Sequence, residues 1–534
     1  MIKHFSAALL LPVLLGLSTD LLADRLITED GRVVTLKKAR KEGDSYRLEF
    51  EHGEIIAGAN AGIASIEMEG DMSDYVPKND DERKKLEDGF VRYQGKWLTK
   101  ARYETQLKKE FEKAKERTDI LAEHSEWHNC WTEETKHFLI KTNTSPEFLD
   151  YYGRLLEAYY SLMDNRVGIK PTLSYRRKKM TVNIYKSHEE FLKLSAGDIG
   201  PSVLGYFWSA DDTLNFYHDY EEPARSEWVA LHECTHLLTF LIDQQYRPQI
   251  WLNEAVADFF GSADITIDKK GKIKIQPGKL QTDRVLTVQQ AIKDDEDTKL
   301  KELFFIDRNA FDGFQYAHAW SFVYFLNNYD KGKYAKGFAK FFKDLYTVKK
   351  GIPYESVPAP GPTGRGKQVK PEDIRDLLLK AIKVKDVDKL EAEWKEFIAG
   401  VPIESKEARL KRGLRAMMMG DFKDALDDLD AAIEGGVTDP RAWASRGQAK
   451  AFTGSIKDGV KDLETAVEKD PLNASYRSQL SGLLVGTIST GRIRIKMGGK
   501  DKKFDNPAAK QQAGLAMELA PDNDRYKDWY DQFE

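Results

Sequence analysis

Five small or apolar residues, Gly413, Gly420, Ala425, Leu429 and Ala432, return 34 positions later as Gly447, Gly454, Gly459, Leu463 and Ala466. A fixed period of that length means one repeated supersecondary unit. It calls for stacked helix pairs, because a lone pair leaves its apolar face uncovered. Small residues at matching positions let the two helices of a unit approach closely. Pro471 stands where the second unit should end, and Ala466 and Pro471 are echoed 50 positions on by Ala516 and Pro521. A third unit is therefore expected, with about 16 extra residues inserted around 491–506.

This pattern resembles the tetratricopeptide family over residues 403–534. The resemblance implies an all-α C-terminal region with a concave surface for a protein partner, or a capping pack for the domain before it. The rest of the 534-residue chain has room for two or three further modules. Its 82 Lys and Arg nearly balance 87 Asp and Glu, which argues against a nucleic-acid partner. Two cysteines exclude a disulfide scaffold, and Cys234, in an apolar helical stretch, is expected to be a free buried thiol rather than paired with Cys130. A mean hydropathy of -0.56 excludes a polytopic membrane protein.

Met1-Ile2-Lys3-His4 is a short basic start, followed by an apolar run from Ala7 to Leu17. That run is too short to span a bilayer, which needs about 20 residues, so residues 1–23 read as a signal peptide cleaved after Ala23. The expectation is an exported protein, periplasmic or secreted, with no stable membrane span after cleavage. Alternating apolar residues and glycine turns over 24–68 predict a small antiparallel β unit of four or five strands. Residues 69–130 read as a hairpin around Gly95 and a charged helical linker. Over 131–400 strands and helices mix. Gly205–Trp208 and Thr213–Tyr217 should pair as a hairpin, the latter as an edge strand onto which an extended peptide could add. Arg176-Arg177-Lys178-Lys179 reads as exposed charge. Helical periodicity dominates 225–345, a proline-rich irregular linker is expected over 351–371, and 372–399 is helical. The fold class is multidomain α+β.

Within the helical part, His232-Glu233-Cys234-Thr235-His236 sits in a strongly apolar stretch. On a helix the i,i+4 spacing stacks both imidazoles on one face, within reach of one ion. Zn²⁺ needs a third protein ligand and leaves one position for water, and Glu233 can reach that water without ligating. Trp251-Leu252-Asn253-Glu254-Ala255-Val256-Ala257-Asp258 predicts a second helix, returning antiparallel after a turn at Arg247-Pro248. Glu254 can complete the coordination, and Asp258, one turn on, can accept a free imidazole N–H. An acidic pair on so apolar a helix would be costly without cations.

His232-Glu233-x-x-His236 followed by Trp251-Leu252-Asn253-Glu254 resembles the gluzincin zinc metallopeptidases, thermolysin-like and aminopeptidase-type, and especially their exported peptidase MA-like members. The resemblance covers about residues 131–400. It implies a thermolysin-like α+β catalytic domain, Zn²⁺ held by His232, His236 and Glu254, and Glu233 as general base and acid. It also implies an oxyanion stabiliser on a later helix, Tyr316 first and His318 second. The chain departs from the aminopeptidases in lacking a Gly-Ala-Met-Glu-Asn-like strand ahead of the zinc helix. The expected function is an exported zinc-dependent peptidase, an endopeptidase, acting on a peptide or protein substrate. The alternative is a non-catalytic scaffold with a degenerate peptidase fold, and hydrolysis of non-peptide amides is a third reading.

Overall fold

The first apolar alternations fold into β1 (Asp24–Thr28), β2 (Val33–Leu36), β3 (Lys38–Glu42), β4 (Ser45–Glu49), β5 (Glu54–Gly58) and β6 (Ile63–Ile66), arranged as two antiparallel three-stranded sheets, β2-β1-β6 and β3-β4-β5. The computed structural model describes residues 24–534 apart from 29–31, 43–44, 59–60, 67–76, 94–95, 169–178, 196–198, 210, 220–221, 360–363, 490–493, 497–502 and 522. The expected leader, residues 1–23, lies outside the described residues, as do Arg176, Arg177 and Lys178. Lys179 is not simply exposed charge: its Nζ donates to the carbonyls of Thr135 and Lys136 at 2.6 and 2.7 Å. Among the described residues six strands form where four or five were expected. The hidden one, β3, is nearly all charged and buries only Ala39.

The β unit does not close a core of its own. Leu26, Val34, Leu36, Leu48 and Ile55 pack against Leu472, Leu515 and Leu519, from the far end of the chain. Next come α1 (Asp80–Glu87), the hairpin β7 (Phe90–Tyr93) and β8 (Lys96–Thr99), and α2 (Lys100–Glu123), capped by the Thr99 side chain.

The central region is a five-stranded mixed sheet covered by helices, with one continuous core running from Phe138 to Ile398. Its elements are β9 (Trp131–Glu134), β10 (Phe138–Thr142), α3 (Pro146–Val167), β11 (Met180–Tyr185), α4 (His188–Leu194), β12 (Gly205–Trp208) and β13 (Thr213–Tyr217). The order is β12-β13-β11-β10-β9, with parallel inner pairs and antiparallel edges. The predicted hairpin of β12 and β13 is present, but β13 is not the edge. Leu214 to Tyr217 are buried in succession, as a strand covered on both faces must be, and β12 takes the edge.

Helices α5 (Pro223–Phe240) and α6 (Ile250–Gly261) lead to a hairpin, β14 (Ala263–Ile267) and β15 (Ile273–Pro277). Then follow α7 (Thr282–Asp294), α8 (Leu300–Leu303), α9 (Gly313–Asn328) and α10 (Ala335–Tyr346). The proline-rich stretch is a hairpin, β16 (Glu355–Pro358) with β17 (Arg365–Gln368), rather than an irregular linker. It is pinned to the turn before α6, where Arg247 N donates to Lys367 O at 2.8 Å and Lys367 Nζ pairs with Asp243 at 2.6 Å. Helices α11 (Pro371–Ile382) and α12 (Val387–Ala399) are separated by Lys383 at φ 60°.

The C-terminal region is helical, with α13 (Lys406–Met419), α14 (Phe422–Glu434), α15 (Pro440–Phe452), α16 (Ile456–Lys469) and α17 (Ala474–Leu484). A short hairpin, β18 (Thr487–Ser489) and β19 (Arg494–Lys496), starts just ahead of the expected insertion and runs into it, before α18 (Pro507–Leu519) and α19 (Asp524–Tyr530). Sequential helices pair, and Gly413, Gly447 and Gly459 of the 34-residue pattern stand at the crossings, whereas Gly420 and Gly454, at φ 88° and 98°, follow helix ends. A Cβ on Gly459 would lie 2.5 Å from Gly447 O, and one on Gly413 2.6 Å from Leu429 Cγ.

Candidate metal centre

Helix α5 begins at Pro223, whose fixed φ suits a first helical position. It is buried almost all round, so its polar side chains need partners inside the protein. Helix α6 returns antiparallel along it: His236 meets Asn253 and Glu254, while His232 meets Glu254 and Asp258 one turn later. At the end of that register Gly261 lies against His232, where a Cβ would come within 2.9 Å of the His232 nitrogen.

Three ligand atoms converge. His232 Nε2 and His236 Nε2 are 3.2 Å apart, and Glu254 Oε2 lies 3.4 and 3.3 Å from them. Ligands about 2.0–2.1 Å from a tetrahedral ion are separated by about 3.3 Å, so the triangle already has the spacing such an ion requires. His232 and Glu254 are buried, and the group could hold a metal ion.

The electrostatics show what that group does without one. Burial opposes a charged His232, but Asp258 and Glu254 outweigh it and push its pKa up to about 10. Burial likewise opposes ionised Glu254, yet the two imidazoles hold its carboxyl well below the usual range.

Around the triangle each imidazole has a partner on its other nitrogen. Asp258, fully buried, accepts from His232 Nδ1 at 2.9 Å, and its second oxygen pairs with Arg284 of α7 at 2.5 Å. Asn253 Nδ2 lies 3.0 Å from His236 Nδ1. As placed, this amide donates to Nδ1 and leaves the His236 proton on Nε2. With a cation at Nε2 the proton belongs on Nδ1, and the amide turns its oxygen to accept it.

Glu233, next to His232 on α5, lies outside the triangle, and its Oε2 accepts from the backbone N–H of Phe207 on edge strand β12 at 2.9 Å. A Cβ on Gly205 would lie 2.5 Å from Val229 Cγ1, so the glycine lets β12 come this close to α5. Tyr316, near the start of α9, has its hydroxyl beside the Glu254 carboxylate and lays its ring against the Arg284 guanidinium, 5.5 Å away. Burial and the Glu254 charge raise its pKa, keeping the hydroxyl a donor.

His318 is not brought here. It is fully buried, its Nδ1 donates to Phe314 O at 2.9 Å, and its ring packs on Phe314 and towards Trp394. Two residues on a helix are some 200° apart, so Tyr316 and His318 cannot face the same neighbour. Cys234 is a free buried thiol, as expected, and Cys130 is also free. Arg284, Phe207 and the pairing of Asn253 were not read from sequence. The cost of burying Asp258 signalled that a cation must be near without saying which.

A family model described as "Protein of unknown function (DUF1570)" matches residues 229–345. That span, about a fifth of the chain, contains His232, Glu233, His236, Glu254, Asp258, Arg284 and Tyr316. No curated protein matches the chain.

Proposed function

We propose that this chain is an exported zinc-dependent peptidase of the gluzincin type, an endopeptidase, with tetratricopeptide-like repeats behind its catalytic domain. One observation carries the reading. A buried His-His-Glu triangle at tetrahedral spacing stands beside a carboxylate, Glu233, that is outside the ligand set and oriented by its own hydrogen bond. A purely structural site has no use for such a base. Export rests on the sequence of residues 1–23, and among the described residues no helix is long and apolar enough to cross a membrane.

Zinc in this site supplies Lewis acidity towards the scissile carbonyl and lowers the pKa of a water to about 7. His232, His236 and Glu254 would hold it, with Asp258 keeping the His232 proton on Nδ1. Glu233 takes a proton at its carboxylate, steadied by Phe207 N–H, and delivers it to the leaving amine nitrogen. The Tyr316 hydroxyl donates to the oxygen on which negative charge develops. An extended substrate adds beside edge strand β12, whose outward-facing Phe207 N–H lies at Glu233.

Glu233→Gln should keep stoichiometric zinc, measured by elemental analysis, yet lose cleavage of a fluorogenic peptide library by about 10²–10⁴-fold. His232→Ala should lose the metal itself. Undiminished cleavage by Glu233→Gln would overturn the mechanism. An intact library beside fully zinc-loaded native protein would leave the non-catalytic scaffold.

A further inference from the structure

The hairpin β14–β15 follows α6 directly, with Ser262 between Gly261 and Ala263. Its register pairs Ile265 with Ile275 and Ile267 with Ile273, so four isoleucines share one face. Ile265, Ile273 and Ile275 pack on the central core. Ile267 carries that face on to the tip, where it is 53% exposed. Around it stand Lys269, Lys270, Lys272 and Lys274, all exposed and, among the described residues, none of them in an ion pair. Lys279, beyond the hairpin, is paired with Asp264 at 3.2 Å.

The tip is held in shape. Asp268 Oδ1 accepts from the backbone N–H of Lys270 and Lys272 at 2.9 and 3.0 Å, and Gly271, at φ 77°, donates to Asp268 O at 2.8 Å. Arg154 of α3, itself paired with Asp150, donates to Gly271 O at 2.8 Å. Four lysines are thus fixed within six positions with Asp268 to offset one of them, and like charges so close repel. Elsewhere the surface charge is mixed, as along α2, where lysines alternate with glutamates. The chain as a whole has 82 Lys and Arg against 87 Asp and Glu, so the cluster runs against the bulk.

An anionic bilayer satisfies both parts of this tip. Each lysine near such a surface strengthens binding about fivefold, and an aliphatic side chain among them can enter the boundary between headgroups and acyl chains. A soluble polyanion would use the lysines and leave Ile267 in water. The tip also has no arginine fork or aromatic ring with which to read or stack on bases. We infer that the β14–β15 tip docks the protein reversibly on a bilayer bearing anionic phospholipids, its four lysines against the phosphates and Ile267 inserted between them. Docking brings α6 and its metal ligand to the membrane on the same stretch of chain. What the site does there rests on the peptidase reading; the docking does not.

The test is co-sedimentation with sucrose-loaded vesicles of phosphatidylcholine alone or of equal parts phosphatidylcholine and phosphatidylglycerol. It uses the chain from Asp24, where β1 begins, so that the apolar run 7–17 takes no part. The anionic vesicles should bind at least tenfold more tightly, and raising salt from about 0.1 to 1 M should release the protein. Lys269→Gln with Lys270→Gln should weaken binding about 25-fold, and Ile267→Ser about fivefold. These side chains are exposed, so the variants should keep the native circular dichroism and zinc content. Equal binding to both vesicles, no binding, or full affinity in the lysine variant would overturn the proposal. Full affinity in Ile267→Ser would overturn it too, by marking a site for any polyanion. Docking by a protein that cleaves no peptide would remove the peptidase reading and leave this one standing; cleavage by a protein that does not dock would do the reverse.

Discussion

Asp258 joins two jobs in one side chain. It fixes the His232 proton on Nδ1 and neutralises Arg284, with no solvent exposure of its own. Asp258→Asn keeps the shape but loses the charge, so zinc affinity should fall 10–100-fold in a competition titration. It also strands the largely buried Arg284 guanidinium, and urea unfolding should register a loss of about 3–5 kcal/mol. Adding Arg284→Met should recover much of that stability and none of the affinity. Recovery of both would mean that Asp258 acts only as a counter-ion. The residues legible in the sequence are those whose relation is set by one helix: His232 with His236, and Glu254 with Asp258. Arg284 and Phe207 escaped because only the packing of separate elements brings them to the site. The choice between Tyr316 and His318 needed knowledge of which face of α9 meets α6.

The helix crossings show the same division at a larger scale. At Gly413, Gly447 and Gly459 the 34-residue repetition foretold where helices would touch, because small residues are kept where backbones meet, while Gly420 and Gly454 recur for the turns that follow the helices. At α15 and α16 the contact is backbone on backbone, with Gly459 against Gly447. Gly459→Ala should gain about 1 kcal/mol of helix propensity and lose more to the overlap, for a net destabilisation of about 1–2 kcal/mol in urea. A neutral or stabilising result would show that the helices can part without cost. Strand identity was less legible. The alternation of Ile265 and Ile267 with Ile273 and Ile275 signals the β14–β15 hairpin, but it lies inside a run dominated by helical periodicity. The β16–β17 hairpin hid among prolines, of which Pro358 ends β16 and Pro371 begins α11. The order of β12 and β13 depended on burial of both faces of β13, which a five-residue strand does not announce.

Across the whole molecule the chain's two described ends meet. The N-terminal strands share their core with α18, and Glu518 of that helix accepts from the backbone of Glu51 at 2.8 Å and from His52 Nδ1 at 2.9 Å. His52 also reaches the Tyr530 hydroxyl at 2.8 Å on α19. The small β unit therefore braces the last helices of the chain. If the two ends are one cooperative unit, damage on one side must loosen the other. Leu515 is 1% exposed in their common core, and Leu515→Ala should cost about 2–5 kcal/mol locally. Hydrogen exchange should then quicken in β4 and β5 together with α18 and α19, while α5 and α6 keep their protection. If His232 and Glu254, 283 and 261 residues earlier in the chain, hold zinc as proposed, its affinity should not change. Faster exchange in α18 with β4 and β5 undisturbed would mean that the strands hold themselves together and only rest on the helices.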